Sequence, residues 1–200
     1  MNAGELRDSI TILELCETAE QVWEWHPKTI VPAKLEHMTA NSIFSKNGLS
    51  AKSIKATIRA YPPLTLHHAF RLPSQGSEHC FLTDIDKDMR SHYTLTAALI
   101  EPVTCTIDRV KMVKGELNRP VAQKLSPITF PGFLTEKYTR QEQGQPMSHS
   151  EVRFVLVTPK VIEIEVGQLV NVGAEPYEVL IPHTLDAYKN EYEILRKVEN

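Results

Sequence analysis

Three acidic residues in one short segment are the first candidates for chemistry in this 200-residue sequence. Asp84, Asp86 and Asp88 alternate with other residues between two apolar segments. Their spacing is that of part of a calcium-binding loop, but the glycine and the terminal glutamate of such a loop are missing. Catalysis by paired carboxylates needs two acids that converge from defined elements, which this pattern does not indicate. We therefore predict a solvated turn.

Histidine is the second candidate type, because imidazole binds metals and transfers protons. His67 and His68 are neighbours, so in a strand they point to opposite faces and cannot bind one metal ion together. The same geometry separates His79 from Cys80, which argues against a Cys–His nucleophilic pair. The remaining histidines lack metal-ligand spacing. We expect no catalytic residue, no bound metal and no cofactor, and we predict that the protein is not an enzyme.

The cysteines and tryptophans indicate structural roles. Cys16, Cys80 and Cys105 are odd in number and widely spaced, so neither a disulfide framework nor a zinc site is indicated, and we expect reduced thiols in a cytosolic setting. Trp23 and Trp25 would share one face of a strand. They could form an aromatic platform for a ligand or a base, but we favour a strand that covers the core.

Charge and hydropathy exclude two classes of partner. The formal net charge is −3 and no block of like charge occurs, so the sequence lacks the basic surface that sequence-independent nucleic-acid binding requires. No apolar run approaches the roughly 20 residues that span a bilayer, so we expect no membrane partner.

Alternation of apolar and polar residues with a period of two dominates the sequence. Ile54 and Ile58 share one face and Lys55 points to the other, and Ile162 and Ile164 alternate with acids in the same way. Long helical periodicity is missing, so we predict an all-β fold. The predicted strands cover 9–14, 29–36, 53–59, 64–71, 80–85, 93–100, 152–157, 162–166 and 192–198.

The two halves of the sequence resemble each other, which predicts two tandem small β-barrel-like units with long loops. The aligned pairs are Pro32 and Pro131, Ile54 and Val152, Gly76 and Gly173, Phe81 and Tyr177, and Tyr93 and Tyr192. Because solenoid repeats are shorter, a repeat of this size favours barrel-like modules. We place the units at 1–105 and 106–200, with the boundary in 104–125 and the first strand of the second unit at 110–113.

The first unit resembles the head–tail joining (head-closure) proteins of long-tailed bacteriophages. Four stretches carry the resemblance: the opening NAGELRDSITI (2–12), Trp23 and Trp25 ahead of the strand TIVPAKLE (29–36), the strand SIKATIR (53–59) and the closing strand YTLTAALIE (93–101). Pro32 stands where the family has a further tryptophan. The second unit is linked to this family only through the internal repeat, so the chain would be a tandem duplication.

The resemblance implies a virion structural protein of the phage neck, made in the host cytoplasm and assembled as a homo-oligomeric ring. Such a ring has the portal or an adaptor protein above it and tail-terminator or tail proteins below it. Genomic DNA would pass through without sequence-specific binding, which agrees with a mildly acidic chain. Alternatives are a tail-terminator, adaptor or baseplate component, or, in another class, a tandem OB-like or SH3-like binding module.

Two long polar segments, 38–52 and 138–150, are the predicted contact loops of the ring. Long loops without structure of their own are commonly functional or ordered by partners. The first carries apolar side chains that would be unusual if they were permanently solvated, although they could also fold back onto the barrel. The candidate interface residues are Asn41, Ile43, Phe44, Lys46, Arg140, Gln143, Gln145 and Met147.

Overall fold

The computed structural model describes residues 6–41, 51–60, 64, 68–72, 79–87, 91–114, 119–136 and 153–197. All regular secondary-structure elements in these ranges are β-strands, which confirms the all-β prediction. The strands are β1 Asp8–Ala19, β2 Val22–Asn41, β3 Ala51–Arg59, β4 His68–Arg71, β5 His79–Asp86, β6 His92–Ile100, β7 Val103–Lys114, β8 Pro120–Glu136, β9 Arg153–Pro159, β10 Leu169–Val172, β11 Glu175–His183 and β12 Lys189–Arg196.

The first six strands close into a hydrogen-bonded circuit. Neighbouring strands follow the order β1-β4-β5-β6-β3-β2, and pairing of β1 with β2 closes the circuit. All of these pairings are antiparallel. This first circuit thus gives each of its strands a partner on both sides over part of its length, which satisfies backbone groups that an open sheet edge would expose.

The last six strands close in the same way. Their order is β7-β10-β11-β12-β9-β8, and β7 pairs with β8 to complete the circuit. When the strands of each half are numbered from one to six, the two circuits have identical connectivity. The long strands of both circuits run beyond the pairs that close them, and register shifts interrupt the ladders, so the sheet is not a regular barrel.

Each circuit encloses its own apolar core. The first core contains Ile10, Ile12, Val31, Ala33, Ile54, Ala56, Ile58, Leu64, Phe70, Leu72, Cys80, Leu82, Ile85, Leu95 and Ala97. The second contains Cys105, Ile107, Phe130, Leu156, Ile162, Ile164, Val170, Val172, Tyr177, Val179, Tyr192 and Ile194. Alternate residues along each strand point inward, as a strand with one buried face requires. The two cores therefore follow from the period-two pattern.

The two circuits meet along a seam. Val22 at the start of β2 pairs in parallel with Thr129 of β8, and the Thr129 N–H donates to the Gln21 carbonyl at 2.8 Å. A third apolar cluster lies at this seam and joins residues of both halves: Phe81, Ala98, Phe133, Val155 and Val157, with Trp25 packed against them. Glu101 and Pro102 alone separate β6 from β7, so the chain passes between the circuits in two residues.

The division of the chain at 105/106 and the origin of the halves by duplication stay predictions. The described pairings associate all of β7, which begins at Val103, with the strands of the second half. The predicted first strand of that half at 110–113 is therefore only the outer part of a longer strand.

One predicted strand is wrong. Residues 161–168 include no strand, although Ile162 and Ile164 are buried and alternate with exposed acids. Side chains replace a partner strand here. The Tyr192 hydroxyl accepts from the Ile164 N–H and donates to the Ile162 carbonyl, both at 3.1 Å, and the Asn190 amide donates to the same carbonyl at 2.9 Å. The alternation thus reflects burial without a ladder.

Two further predictions change at strand ends. Strand β5 continues through Asp86, so Asp84 and Asp86 are exposed as expected but lie in a strand and not in a turn, while Asp88 lies outside the described residues. Strand β2 reaches Asn41, which pairs with Ala51, so the predicted loop 38–52 begins and ends within strands.

We predict that Tyr192→Phe lowers the free energy of unfolding by about 1–3 kcal/mol, because the buried Ile164 N–H would lose its acceptor. Burial raises the pKa of Tyr192, so its hydroxyl stays neutral and keeps both hydrogen-bonding roles near neutral pH. Chemical denaturation measures the effect. The control is Tyr93→Phe on the half-buried Tyr93 of β6, for which we expect a change below about 0.5 kcal/mol. Equal losses in the two variants would contradict the hydrogen-bonding role.

Candidate assembly surface

The candidate interface residues from the sequence lie almost entirely outside the described residues. Asn41 is the exception: it is the last residue of β2 and pairs with Ala51 at the start of β3. The others are Ile43, Phe44, Lys46, Arg140, Gln143, Gln145 and Met147. Their role in contacts stays a prediction, and the structure brings none of them together.

The described surface offers another candidate, the outer part of the β7–β8 hairpin. We term this part the arm, formed by residues 108–114 and 119–125. Its ladder runs from the pair Arg109 and Leu125 to the pair Lys114 and Pro120. Among the described residues, the pairing of β7 with β10 stops at Thr106, and no strand other than β7 pairs with 120–125. The arm therefore extends beyond the closed circuit as a two-stranded ribbon.

The arm presents apolar side chains to solvent. Val110 is 58% exposed, Met112 64% and Val121 52%. No residue of the arm is buried, so neither face of the ribbon is covered by the circuits. A two-stranded hairpin is at best marginally stable in water. Val110 and Met112 share one face of the ribbon, whereas Val121 lies opposite Val113 on the other face. Exposed apolar residues on both faces of such a ribbon are typical of a surface that packs against a partner.

The arm is also basic. The described cationic residues on it are Arg109, Lys111, Lys114, Arg119 and Lys124, whereas Asp108 is the acid there. Lysines on an exposed strand edge hinder uncontrolled pairing with other chains, because a charged side chain must be desolvated before the edges can meet. The arm thus combines exposed apolar side chains with cationic ones.

The tryptophans contribute to the seam. The Trp25 ring lies edge-on to Phe81 with centroids 6.5 Å apart, and Phe81 lies edge-on to Phe133 at 5.0 Å. Trp23 packs against the second core. This agrees with a strand that covers apolar residues and not with a free aromatic platform, although the covered residues include those of the other half.

A cavity of about 270 Å³ opens beside the tryptophans. Its lining comprises Trp23, Glu24, Trp25, His79, Thr104, Thr129, Phe130 and Pro131. This volume lies below the roughly 300–1,000 Å³ of small-molecule sites. Both circuits contribute to the lining, so the cavity lies at the seam.

Charged side chains are buried on the outer face of β12. Lys189 and Glu191 form an ion pair in which both side chains are almost fully buried, and Glu193 contacts His183 at 3.2 Å. Asp186 lies 3.5 Å from the Lys189 ammonium group. Glu193 also lies 3.9 Å from the Arg153 guanidinium group, so each buried charge has an opposite charge nearby, as burial requires. These contacts connect the start of β12 to the segment before it and to β11.

The described residues hold no group of three or more side chains arranged to bind a metal ion. Cys105 is fully buried, and desolvation raises the pKa of its thiol to about 12. A thiol with so high a pKa is a poor nucleophile near neutral pH. Cys105 therefore acts as an apolar core residue beneath Gly132, where an added Cβ would lie 2.8 Å from the Cys105 sulfur.

Comparisons with known proteins return nothing for this chain: no protein-family model, no curated protein and no solved structure matches it. Within the described ranges there is also no helix of the length and apolarity that crossing a membrane demands.

Sequence reasoning missed the arm, although the signal was present. Residues 109–112 alternate cationic and apolar side chains, so a strand in this region is visible in the sequence. Gly115 and Pro120 interrupt the pattern, which is why the sequence places the boundary between the units here. Gly115 lies outside the described residues, and Pro120 is the first residue of β8.

We predict that the arm contributes little to the stability of the isolated chain. The double variant Val110→Ser, Met112→Ser should change the free energy of unfolding by less than about 1 kcal/mol, because both side chains are already solvated. The matched core variant Leu156→Ala should cost about 2–5 kcal/mol. Chemical denaturation at low protein concentration compares them. A comparable loss in the arm variant would mean that the arm packs on its own chain.

We also predict unequal thiol reactivity. Cys16 is half-buried, whereas Cys80 and Cys105 are buried. In the native protein, an alkylating reagent at pH 8 should label Cys16 and leave the other two unmodified over the same time. In denaturant all three should react. Mass spectrometry of the digested protein assigns the labels, and rapid native labelling of Cys105 would contradict its placement in the core.

Proposed function

We propose that the protein is a structural component of the neck of a long-tailed bacteriophage. In this role it forms a homo-oligomeric ring that connects the portal or an adaptor to the tail and extends the DNA channel. The proposal rests on the resemblance of the first half to head-closure proteins, and the observation that carries it in the structure is the arm. An exposed apolar ribbon that adds little to its own chain is suited to contacts between subunits.

The strands that carry the resemblance are central to the first circuit. Residues 53–59 belong to β3 and 93–100 to β6, and these strands pair with each other along their length. Ile54, Ile58 and Leu95 on them are core residues. The resemblance therefore concerns a pattern that builds the circuit, which supports a shared architecture without bearing on a catalytic role.

Packing inside the circuits supports a channel between subunits. Both cores are filled by large side chains such as Phe70, Phe130 and Tyr192. Nucleic acid cannot pass through such an interior, so a DNA channel requires several copies around a common axis. The low net charge of the chain would let DNA slide without tight phosphate contacts.

The first test is the native mass of the purified protein, followed by negative-stain imaging with and without its candidate portal complex. We expect closed rings, or a monomer that forms rings only on the portal. The variant Val110→Ser, Met112→Ser should remain folded and lose ring formation, and Leu185→Ser at a fully exposed apolar residue serves as control. Phe44→Ser tests the predicted loop contact in the same assay.

The basic residues of the arm favour a second candidate, a tandem binding module for nucleic acid. It predicts a monomer that ignores the portal but binds single-stranded DNA, with affinity that falls steeply as salt increases. That result would contradict the neck proposal. Rings that bind a tail complex but not the portal would instead indicate a tail-terminator or baseplate component.

A further inference from the structure

The identical connectivity of the two circuits makes the contact between them a template for contacts between chains. In each circuit a hairpin formed by the first two strands carries a register shift at the same place. The shift follows the pair Ile12 and Thr29 in β1–β2 and the pair Ile107 and Ile128 in β7–β8. One step before each shift stand the pairs Thr11 with Ile30 and Thr106 with Thr129. Ile30 and Thr129 thus occupy equivalent positions.

Thr129 is the position where the tip of the first hairpin docks. Val22, next to the turn of the β1–β2 hairpin, pairs with Thr129, and the Thr129 N–H donates to the Gln21 carbonyl at 2.8 Å. Through this contact the first residue of β2 pairs in parallel with the edge of β8. The second circuit therefore receives a hairpin tip on the edge of its second strand.

Within the described part of the chain, no hairpin tip docks on the equivalent position of the first circuit. Ile30 is 69% exposed, and the described pairing of β2 with β3 begins only at Ala33. Among the described strands, β1 alone pairs with β2 at Ile30. An apolar side chain on an exposed edge of backbone groups is a template for strand addition.

The counterpart of the first hairpin tip, the end of the arm, pairs with no other described strand. Lys114 and Pro120 form its last pair, and Val121 beside them is 52% exposed. The tip of the first hairpin is engaged within the chain, whereas the last described pair of the arm meets no further described strand. Conversely, the receiving edge of the second circuit is occupied, and no described strand occupies that of the first.

We infer that the arm of one copy docks on the β2 edge around Ile30 of a second copy, in the way that the β1–β2 hairpin docks on β8 within the chain. Val121 takes the place of Val22, and Ile30 takes the place of Thr129. The contact is heterologous, because the two surfaces differ. Repetition of such a contact closes into a ring when the rotation allows it.

The contact within the chain supports a second copy as the occupant, because a hairpin of the same connectivity already docks on the equivalent strand edge there. In the same parallel orientation, the docked arm runs from Ile30 toward the end of β2. The arm carries Arg109, Lys111, Lys114, Arg119 and Lys124, and repulsion between these cations disfavours contact of two arms.

This inference deepens the proposed ring, but it rests on the internal correspondence and not on the phage role. Disulfide cross-linking between two variants tests it, both made in the full-length chain with Cys16→Ser, so that the introduced cysteine is the accessible one beside the buried Cys80 and Cys105. One variant is Ile30→Cys and the other Val121→Cys. Residues paired across strands lie within the distance that a disulfide spans. Mixing the two variants under oxidising conditions should give at least tenfold more covalent dimer than either variant alone.

Four outcomes overturn the inference. Covalent dimer at background level in the mixture, matching the control mixture of Leu185→Cys with Val121→Cys, would exclude the contact. Cross-linking of Ile30→Cys with itself at the same yield would indicate an isologous contact instead. A protein that stays monomeric at every concentration and gives no mixed dimer also contradicts it. Binding of DNA to the protein that Lys111→Glu weakens, together with no mixed dimer, would contradict it as well.

A second measurement uses sedimentation equilibrium. Ile30→Asp should raise the apparent dissociation constant of self-association at least tenfold, whereas Leu185→Asp should leave it unchanged, with equal melting temperatures for both. No change in Ile30→Asp overturns the inference. Rings on the portal without mixed cross-links would leave the neck proposal standing and remove this interface. Mixed cross-links without portal binding would do the reverse.

Discussion

The aromatic contact at the seam is the interaction on which the arrangement of the chain depends. Phe81 lies between Trp25 of its own half and Phe133 of the other, so one side chain packs against residues of both circuits. Aromatic rings bury large areas and prefer edge-on geometry, which fixes orientation as well as distance. This packing holds the β1–β2 hairpin against the second half, and Val22 meets Thr129 as a result. Without it, each circuit would retain its core, and the orientation of one circuit against the other would no longer be fixed.

The sequence predicts the strands well where one face is buried against a single core. Residues 53–59 are an example, since alternation of this kind follows directly from a paired strand with a solvated face. The alignment of the two halves of the sequence places Pro32 opposite Pro131. In the structure these prolines pair with Ser9 and Thr104, at corresponding places in the two hairpins. The alignment of Tyr93 with Tyr192 is less exact. Tyr192 pairs with Leu156, and the position equivalent to Leu156 in the first circuit, Ala56, pairs with Leu95. Leu95, two residues after Tyr93, is therefore the structural counterpart of Tyr192.

The features that the sequence did not reveal depend on contacts between distant residues. Burial of Ile162 and Ile164 produces strand-like alternation, yet hydrogen bonds from Asn190 and Tyr192 take the place of a ladder. No local feature of the sequence distinguishes a paired strand from a buried segment of this kind. The arm was missed for the opposite reason. Its alternation is visible, but whether an alternating hairpin covers a core or extends beyond it is decided by where the neighbouring strands stop, here at Thr106 of β7.

The short connection between β6 and β7 has a consequence for the strength of the seam. Glu101 and Pro102 span no more than about 7 Å, so the two circuits can never diffuse apart. Tethering by so short a segment gives the circuits an effective local concentration that is at least millimolar. A modest intrinsic affinity therefore suffices to keep the seam closed at all times. The same pair of surfaces carried on separate chains would lack this advantage and would associate reversibly, in proportion to the number of copies in the surrounding volume.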